Sequence, residues 1–532
     1  MLTPYFSYRT TKTLPKLLLE VLDNNPELDK FYTAPTTLEN FSSQMTTKAA
    51  QFSFEKRTDL ADCLHQQYNS LNPSDLTNAQ ISSLKNATTF TITTGHQLNL
   101  MGGPLYFLYK IISVINLTKT LNEKYPKNNF VPVFWMATED HDFEEINHFY
   151  FGKHRFEWQQ EAMGPVGRLS TKNLDEFLSQ FSAHLTANEC SNTLRDLFQK
   201  AYLKQHNLAD ATRALVHHLF GDDGLIVVDG DDPKLKHLFL PKIKNELENQ
   251  IVFKEVTDTN QALKKVDLDF KIQVNPRPIT LFYIKNNLRE RIEVNNGIFR
   301  VLNTDLIWDL DGILEELDTH PERFSPNVLM RPLYQETILP NLCYVGGGGE
   351  LSYWLQLKSC FDSFNIHFPL LLHRTSAIIV TSKQYKKLQK IDVSLEDMFL
   401  SSEDLSTKIA KAQKDLINFS DQKQHLKQQF EGLYRIAKQT DASFLGAVAA
   451  QEKKQLKGLY HLEKRLLRAE KRKHKAQIEQ ALLLQSALFP NGNLQERTLN
   501  FSTFYAVYGQ DFIKKLKSEL NPFQQGFAVI SL

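Results

Sequence analysis

The hydrophobic positions of this chain change period along its length, and each change marks an element. Phe90-Thr91-Ile92-Thr93 is short, β-branched and apolar, which predicts a buried strand. Gly95-His96-Gln97 follows. After a second turn at Gly102-Gly103-Pro104, Leu105, Leu108, Tyr109, Ile112 and Ile115 recur at helical spacing. Val131 to Ala137 is a second apolar run. It ends in a loop dense with charge, Glu139-Asp140-His141-Asp142 and Glu144-Glu145, closed by Asn147 and His148. Strand, helix and strand within one βαβ unit place both loops on the same edge of a parallel sheet. That edge is where open α/β sheets bind ligands.

The pattern continues past this unit. Residues 1–85 read as helices that pack on the sheet without chemistry of their own. Leu225 to Asp229 predicts a third core strand, and 233–256 a helix with Leu235, Leu238, Ile243 and Leu247. Ile272 to Val274, Ile279 to Ile284, Arg291 to Val294 and Ile298 to Val301 read as short antiparallel strands, with hairpin chemistry at Asn296-Gly297. Leu339 to Val345 approaches Gly346-Gly347-Gly348-Gly349, and Leu351 to Phe361 is helical. Pro369 to Leu372 is a last core strand, ending at His373-Arg374. From about Val393 aromatic residues become rare. Two helical segments, 403–438 and 442–487, form an antiparallel hairpin, and the second carries an apolar seam through Leu445, Val448, Leu456, Leu459, Leu462 and Leu466. Such a stripe needs a partner, and a twofold dimer is the commonest solution. The chain thus divides into a core of 1–392 with insertions at about 151–222 and 257–330, an arm of 393–489, and a segment of 490–532 that packs back on the core.

At 532 residues the chain exceeds what one hydrophobic core supports, so two or three domains are expected. Its net charge of +1 gives the whole molecule no pull towards nucleic acid or membrane. The basic run from Lys464 to Lys475 stands beside Glu463 and Glu470 and lacks aromatic residues for base stacking, so it reads as a solvated helix face. Cys63, Cys190, Cys343 and Cys360 form no Cys-x-x-Cys pair, the usage of a reduced cytoplasmic protein without structural zinc. The first residues show no secretory signal pattern, and no apolar run is long enough to span a bilayer.

Candidate chemistry concentrates in the strand-end loops. Gly346 to Gly349 before Glu350 reads either as a loop that admits an anion to a helix start or as a permissive turn. Glu139-Asp140-His141-Asp142 is a metal site, an amine site or solvated charge. Carboxylates suit Mg²⁺ accompanying a nucleotide, whereas zinc spacing is absent apart from His148. Lys110 either reaches a ligand or snorkels to the surface. Arg331 has apolar flanks and needs a partner, either substrate or a carboxylate such as Glu336. Arg374, at the end of the last strand, is better placed for ligand contact.

These residues carry a resemblance. Thr94-Gly95-His96-Gln97, Gly103 to Tyr106 with Tyr109-Lys110, Phe134-Trp135 with Glu139 to Asp142, and Glu145 to His148 resemble the cysteine-adding enzymes of bacillithiol biosynthesis. So do Arg331-Pro332 with Gln335, Tyr344 to Gly347 with Glu350, Tyr353-Trp354, Pro369 with Arg374, and Gln495-Glu496-Arg497 with Asn500. The matches run in order along essentially the whole chain, though at His96 that family more often has Gln. With the resemblance, the expected fold class is α/β: a Rossmann-like parallel sheet core with inserted subdomains and a long antiparallel coiled-coil helical arm.

The resemblance implies a cytoplasmic ligase that forms an amide bond between L-cysteine and the amine of glucosaminyl-malate, with ATP and Mg²⁺ activating the carboxylate. The loop at Thr94 is also similar to the histidine-containing loop that meets the triphosphate in nucleotidylyl-transferring α/β enzymes, but a mobile Lys-Met-Ser-Lys-Ser-like loop is missing. On this reading His96, Asp140 and His141 are catalytic. Gly95, Gln97, Lys110, Glu139, Asp142, Asn147 and Arg331 bind substrate or nucleotide. So do Gln335, Gly346, Gly347, Glu350, Tyr353, Trp354 and Arg374, and no resident metal is expected. The expected partners are these small molecules and a second copy joined through the arm, with neither nucleic acid nor membrane. The product's thiol comes from the substrate, so none of the four cysteines is the nucleophile, and Cys343 reads as a small core residue. The rival reading is an inactive scaffold that docks a partner enzyme through the arm, and it needs no convergence of the loops.

Overall fold

The computed structural model describes residues 3–267, 269–412 and 419–532. The chain folds as two compact units, Met1–Ile378 with Leu494–Ile530, and Ile379–Asn493 with Ser531–Leu532. The boundaries expected at 392 and 489 both fall inside the second unit.

In the first unit, β1 (Thr89–His96) is buried along its whole length, as a parallel strand covered on both faces must be. α1 (Tyr106–Lys124) is apolar nearly all round and packs in the interior. The turn between them requires Gly102 and Gly103, both at positive φ, where a Cβ would strike Phe107 and Asn99. Next come β2 (Asn129–Met136), β3 (Ile226–Asp229) and α2 (Pro233–Asn249). Asp232 starts α2 by accepting the Lys234 and Leu235 N–H groups. The helix expected to reach 256 stops at Gln250, which takes the left-handed conformation, and a second helix runs Ile251–Val266. The insertion expected from 257 therefore begins inside a helix.

The sheet of that insertion is β4 (Leu281–Lys285), β5 (Leu288–Asn295), β6 (Ile298–Val301), β7 (Ile307–Trp308) and β8 (Phe324–Pro326), antiparallel throughout in the order β7-β6-β5-β4-β8. Ile272 to Val274 forms no strand, because Asn275-Pro276-Arg277-Pro278 follows at once and proline cannot continue a ladder. α3 (Arg331–Ile338), β9 (Asn341–Gly346), α4 (Gly348–Trp354) and β10 (Leu370–His373) complete the core. The parallel sheet has the order β10-β9-β1-β2-β3. Successive strands run outward from β1 on one side and then restart on the other. The crevice outside β1 and β9 is therefore the topological switch point, where such sheets bind ligands. Phe90, Ile92, Val114, Phe130, Leu342 and Val345 share one apolar cluster that fixes these strands against α1.

The flanking segments contribute more than packing. Lys48, on the helix Asn40–Gln51, is fully buried and pairs with Glu336 at 3.0 Å. Asn500 donates to the Met101 and Gly103 carbonyls and so clamps the β1–α1 turn. Phe527 and Ala528 pair antiparallel with Phe6 and Tyr5, joining the two ends of the chain.

The second unit is helical, with α5 (Ser402–Ala412), α6 (Ser420–Ala437), α7 (Ala442–Lys473) and α8 (Lys475–Leu488). Residues 413–418 of the expected helix 403–438 lie outside the described residues. α6 and α7 run antiparallel: Tyr434 donates to Glu452 and Lys423 pairs with Glu463. Part of the apolar stripe closes within the arm, where Val448 packs with Phe430 and Ala437. Phe444, Tyr460 and Leu462 remain about half exposed. The helix expected over 442–487 breaks at His474. No described helix is long and apolar enough to cross a membrane.

Candidate active site

A cavity of about 640 Å³ opens at the switch point. Its walls are Gly95 to Gln97 at the end of β1, Ala137 to Asp140 after β2 and Gly347 to Glu350 after β9, with Arg331 from α3 and Arg374 after β10. Right-handed crossovers put the ends of parallel strands on one edge, which is why loops distant in sequence meet. Two further arginines reach it, Arg289 from β5 and Arg497 from the C-terminal segment.

On the β9 side the chain neutralises most of its own cations. Lys110 is buried, its Nζ donating to the Gly95 carbonyl at 2.7 Å and meeting Glu350 at 2.6 Å. Burial pushes the Lys110 ammonium down and Glu350 partly restores it. Glu350 also accepts the Gly347 N–H at 2.8 Å and the Tyr344 hydroxyl at 3.0 Å. Burial opposes its charge, but Lys110 and these donors hold its carboxyl below the usual range. The Gly347 N–H expected to meet an anion is thus filled by the protein's own carboxylate. The glycines divide in role: a Cβ at Gly348 would press on Pro15, whereas Gly349 faces open space. Arg374 is buried and donates Nη2 to buried Glu496 at 2.7 Å, leaving Nε without a partner.

Arg331 differs. Its Nη1 donates to Gln335 at 3.0 Å, its guanidinium lies 5.7 Å from the Tyr344 ring, and Tyr353 hydrogen-bonds it. All three of these partners are neutral and Nη2 has none, although the Glu350 carboxylate stands near enough to favour the charge. Of the two partners the sequence allowed it, substrate or a carboxylate such as Glu336, the latter is taken by Lys48.

On the β2 side, Glu139 meets Lys236 at 2.8 Å. Lys236 also holds Asp231 at 2.8 Å, and Arg168 grips Asp231 at 2.7 Å. Burial raises the Glu139 carboxyl above its ordinary pKa despite Lys236. Asp140 moves the other way. It accepts Gln97 Nε2 at 3.0 Å and the His141 N–H at 2.8 Å. Burial opposes its charge, yet His141, Gln97 and Arg289 hold its carboxyl below the usual range. Adjacent carboxyls pushed apart in this way are the pattern of an acid–base site. Between the two sides, His96 is buried against Tyr106 and Phe107, its Nε2 unpartnered and its ring bonded to the Gly102 backbone. Burial, with Lys110 and Arg374 nearby, pushes its pKa well below the imidazole range, so it is neutral and a weak base.

Several expected site residues do not face the cavity. His141 is half exposed and outside the lining, its Nδ1 accepting from Arg289 at 2.6 Å. Asp142 is exposed, and Asn147 is buried with its side chain on His148. Gly346 ends a strand, and its carbonyl accepts the Arg374 N–H. Gln335 and Trp354 are fully buried behind Arg331 and Tyr344, Trp354 stacking on Tyr344 at 4.4 Å. Cys343 is buried, and burial pushes its thiol well above the usual range. Among the described residues, no three His, Cys, Asp or Glu side chains gather as ligands for a metal ion.

The sequence reading assigned no role to Arg289, Lys236 or Glu496. Glu496 stood in the matched run Gln495-Glu496-Arg497, which was the available signal. Arg289 had none, since Leu288-Arg289-Glu290-Arg291 reads as an ordinary polar strand.

Residues 1–375 match the family described as "Bacillithiol biosynthesis BshC, N-terminal Rossmann-like domain", and residues 377–532 match "Bacillithiol biosynthesis BshC, C-terminal coiled-coil domain". A Flavobacterium johnsoniae protein named "Putative cysteine ligase BshC" is 51% identical, the match covering 100% of each chain. Proteins of the same name from Christiangramia forsetii and Flavobacterium psychrophilum are 48% and 49% identical, each match covering 100% of this chain and 99% of the relative. The parallel sheet and the helical arm stand in the order those two domains prescribe, and the chain belongs to the BshC family of bacillithiol biosynthesis.

Proposed function

We propose that this protein is a cytoplasmic ligase that joins the carboxylate of L-cysteine to the amine of glucosaminyl-malate, forming the amide of bacillithiol. The relatives' name supports cysteine as a substrate. Forming an amide from a free carboxylate in water is uphill, and ATP, accompanied by Mg²⁺, supplies the activation as a phosphate leaving group. One observation carries the reading. A single cavity is lined by a cation that forms no ion pair among the described residues, Arg331, and by two adjacent carboxyls, Glu139 and Asp140, that are pushed in opposite directions from the ordinary carboxyl pKa. An inactive scaffold needs neither.

The side chains suit these groups in kind. Arg331 and Arg374 line the cavity, each with a buried nitrogen that has no partner, and as cations they suit phosphate or carboxylate oxygens. Asp140 stays ionised and receives an ammonium. Glu139, raised by burial, takes the proton that leaves the attacking amine. His96 offers Nε2 as a hydrogen-bond acceptor. The Lys110–Glu350 pair ties the β1 loop to the β9 loop and fixes the spacing of the reacting groups. The half-exposed Phe444, Tyr460 and Leu462 support a homodimer through the arm.

A single incubation tests the activity. Purified protein is mixed with L-cysteine, glucosaminyl-malate, ATP and Mg²⁺ and read by mass spectrometry. The expected result is the amide, with AMP and pyrophosphate or ADP and phosphate released in equal amount. Folded protein that yields no amide contradicts the reading and leaves the scaffold.

A further inference from the structure

β5 of the inserted sheet carries Arg289 into the cavity, and the chemistry above uses it only to favour the ionised form of Asp140. Its guanidinium lies 3.9 Å from the Phe282 ring, and Nη1 donates to His141 Nδ1 at 2.6 Å. Nε is buried without a partner. An arginine only donates, so His141 Nδ1 accepts from Arg289 and cannot also donate to Asp140, whose Oδ1 lies 3.6 Å from it. Arg289 and Asp140 therefore flank one nitrogen atom, and both line the cavity. The guanidinium and the ionised carboxylate thus stand on either side of His141 Nδ1 and favour each other's charge, but no ion pair joins them among the described residues.

Adjacent, unpaired charges of opposite sign complement a ligand that carries both signs close together. In a free α-amino acid, one carbon separates the ammonium from the carboxylate. We infer that the β2 side of the cavity is a subsite for the zwitterionic head of an α-amino acid, with Asp140 receiving the α-ammonium and Arg289 an oxygen of the α-carboxylate. His141 and Phe282 position the guanidinium, so the planar fork meets the ligand already oriented. The identity of the amino acid, L-cysteine, rests on the ligase reading; the recognition of a zwitterion rests on the charge pattern alone. Arg331, on the other side of β1, then remains for the activating phosphate.

Calorimetric titration of the full-length protein, without ATP or glucosaminyl-malate, tests the subsite. The probes are L-cysteine, cysteamine, which lacks the carboxylate, and 3-mercaptopropionate, which lacks the ammonium. Wild type is expected to bind L-cysteine at least about tenfold more tightly than either probe, the worth of one hydrogen bond between charged groups. Arg289→Met should bind L-cysteine and cysteamine alike while still rejecting 3-mercaptopropionate, and Asp140→Asn should do the converse. Arg289→Lys, which keeps the charge, should restore part of the preference, and thermal melts confirm that each variant is folded. An Arg289→Met protein with the wild-type preference for L-cysteine over cysteamine overturns the subsite, as does a wild type that does not discriminate. The mass-spectrometric incubation separates the two readings. Amide formation with no Arg289 effect sinks the subsite alone. Discrimination without amide formation sinks the ligase alone. A wild type that fails to bind L-cysteine sinks the subsite, whatever the incubation yields.

Discussion

The two flanks of β1 differ in how completely they pair their charges. Towards β9 and β10 the chain supplies its own counter-charges: Lys110 meets Glu350, Arg374 meets Glu496, and Lys48 meets Glu336. Arg331 is the exception, held by neutral groups. Towards β2 the pairing is partial: Glu139, Lys236, Asp231 and Arg168 form one paired network, while Asp140 and Arg289 favour each other's charge without meeting as an ion pair among the described residues. A buried charge with its own partner belongs to the architecture, and breaking it costs stability. A charge held by neutral groups at a cavity is available to a ligand. Which of the two a residue is depends on its partner, not on its loop.

The largest expected effect lies deepest in the β9 flank. Lys48→Met leaves Glu336 buried without its cation and should cost roughly 3–5 kcal/mol in urea unfolding. Adding Glu336→Gln should recover most of that loss, and an unchanged midpoint in the single variant would break the rule that defines this flank. Arg374 and Arg331 sharpen it. Arg374→Met orphans Glu496 and should lose about 3 kcal/mol of stability. Arg331→Met should stay within about 1 kcal/mol of wild type yet lower kcat/KM by roughly a hundredfold. Equal destabilisation of the two would erase the distinction.

A buried carboxyl outside the cavity has a pH signature of comparable size. Glu246, on α2, accepts the Thr280 hydroxyl at the root of the inserted sheet and has no cation partner among the described residues. Burial lifts its carboxyl from 4.5 to about 7. The folded protein holds this proton more tightly than the unfolded chain does. Its stabilisation is therefore complete below pH 4.5 and is lost as the pH rises to about 7, an amount on the order of 3 kcal/mol. Denaturant midpoints of wild type should fall across that window, and Glu246→Gln should flatten the fall. The smallest effect belongs to His96. Because its imidazole is neutral and offers only Nε2, His96→Gln should change kcat/KM by less than about tenfold. A loss of several orders of magnitude would restore it as the acid–base group.

The sequence made legible what is written locally. The strands before Gly95 and Glu139 are continuous apolar runs that end in polar loops, and the parallel sheet that joins them follows from their lengths and connections. The apolar seam through Leu445 and Val448 announced the arm in the same way. What was illegible depends on pairing across the fold. Nothing near Arg374 says that its counter-charge is Glu496, and nothing near Glu139 names Lys236. His141, expected to be catalytic, lies outside the cavity lining, and its contact with Arg289 could not be read from the sequence. Arg289 was invisible because it reaches the cavity through the geometry of an inserted sheet whose own pattern is that of an ordinary hairpin.

The central claim is that the acidic loop after β2 serves chemistry rather than architecture. The most direct test pairs two readings on one variant, Asp140→Ala: the rate of amide formation and the thermal midpoint. The account predicts a rate at least about a hundredfold lower, with the protein still folded and its midpoint lower by no more than about 5 °C, the loss of the contacts that hold the Asp140 carboxylate ionised. Full activity in the variant, or a midpoint that collapses along with the rate, would contradict it.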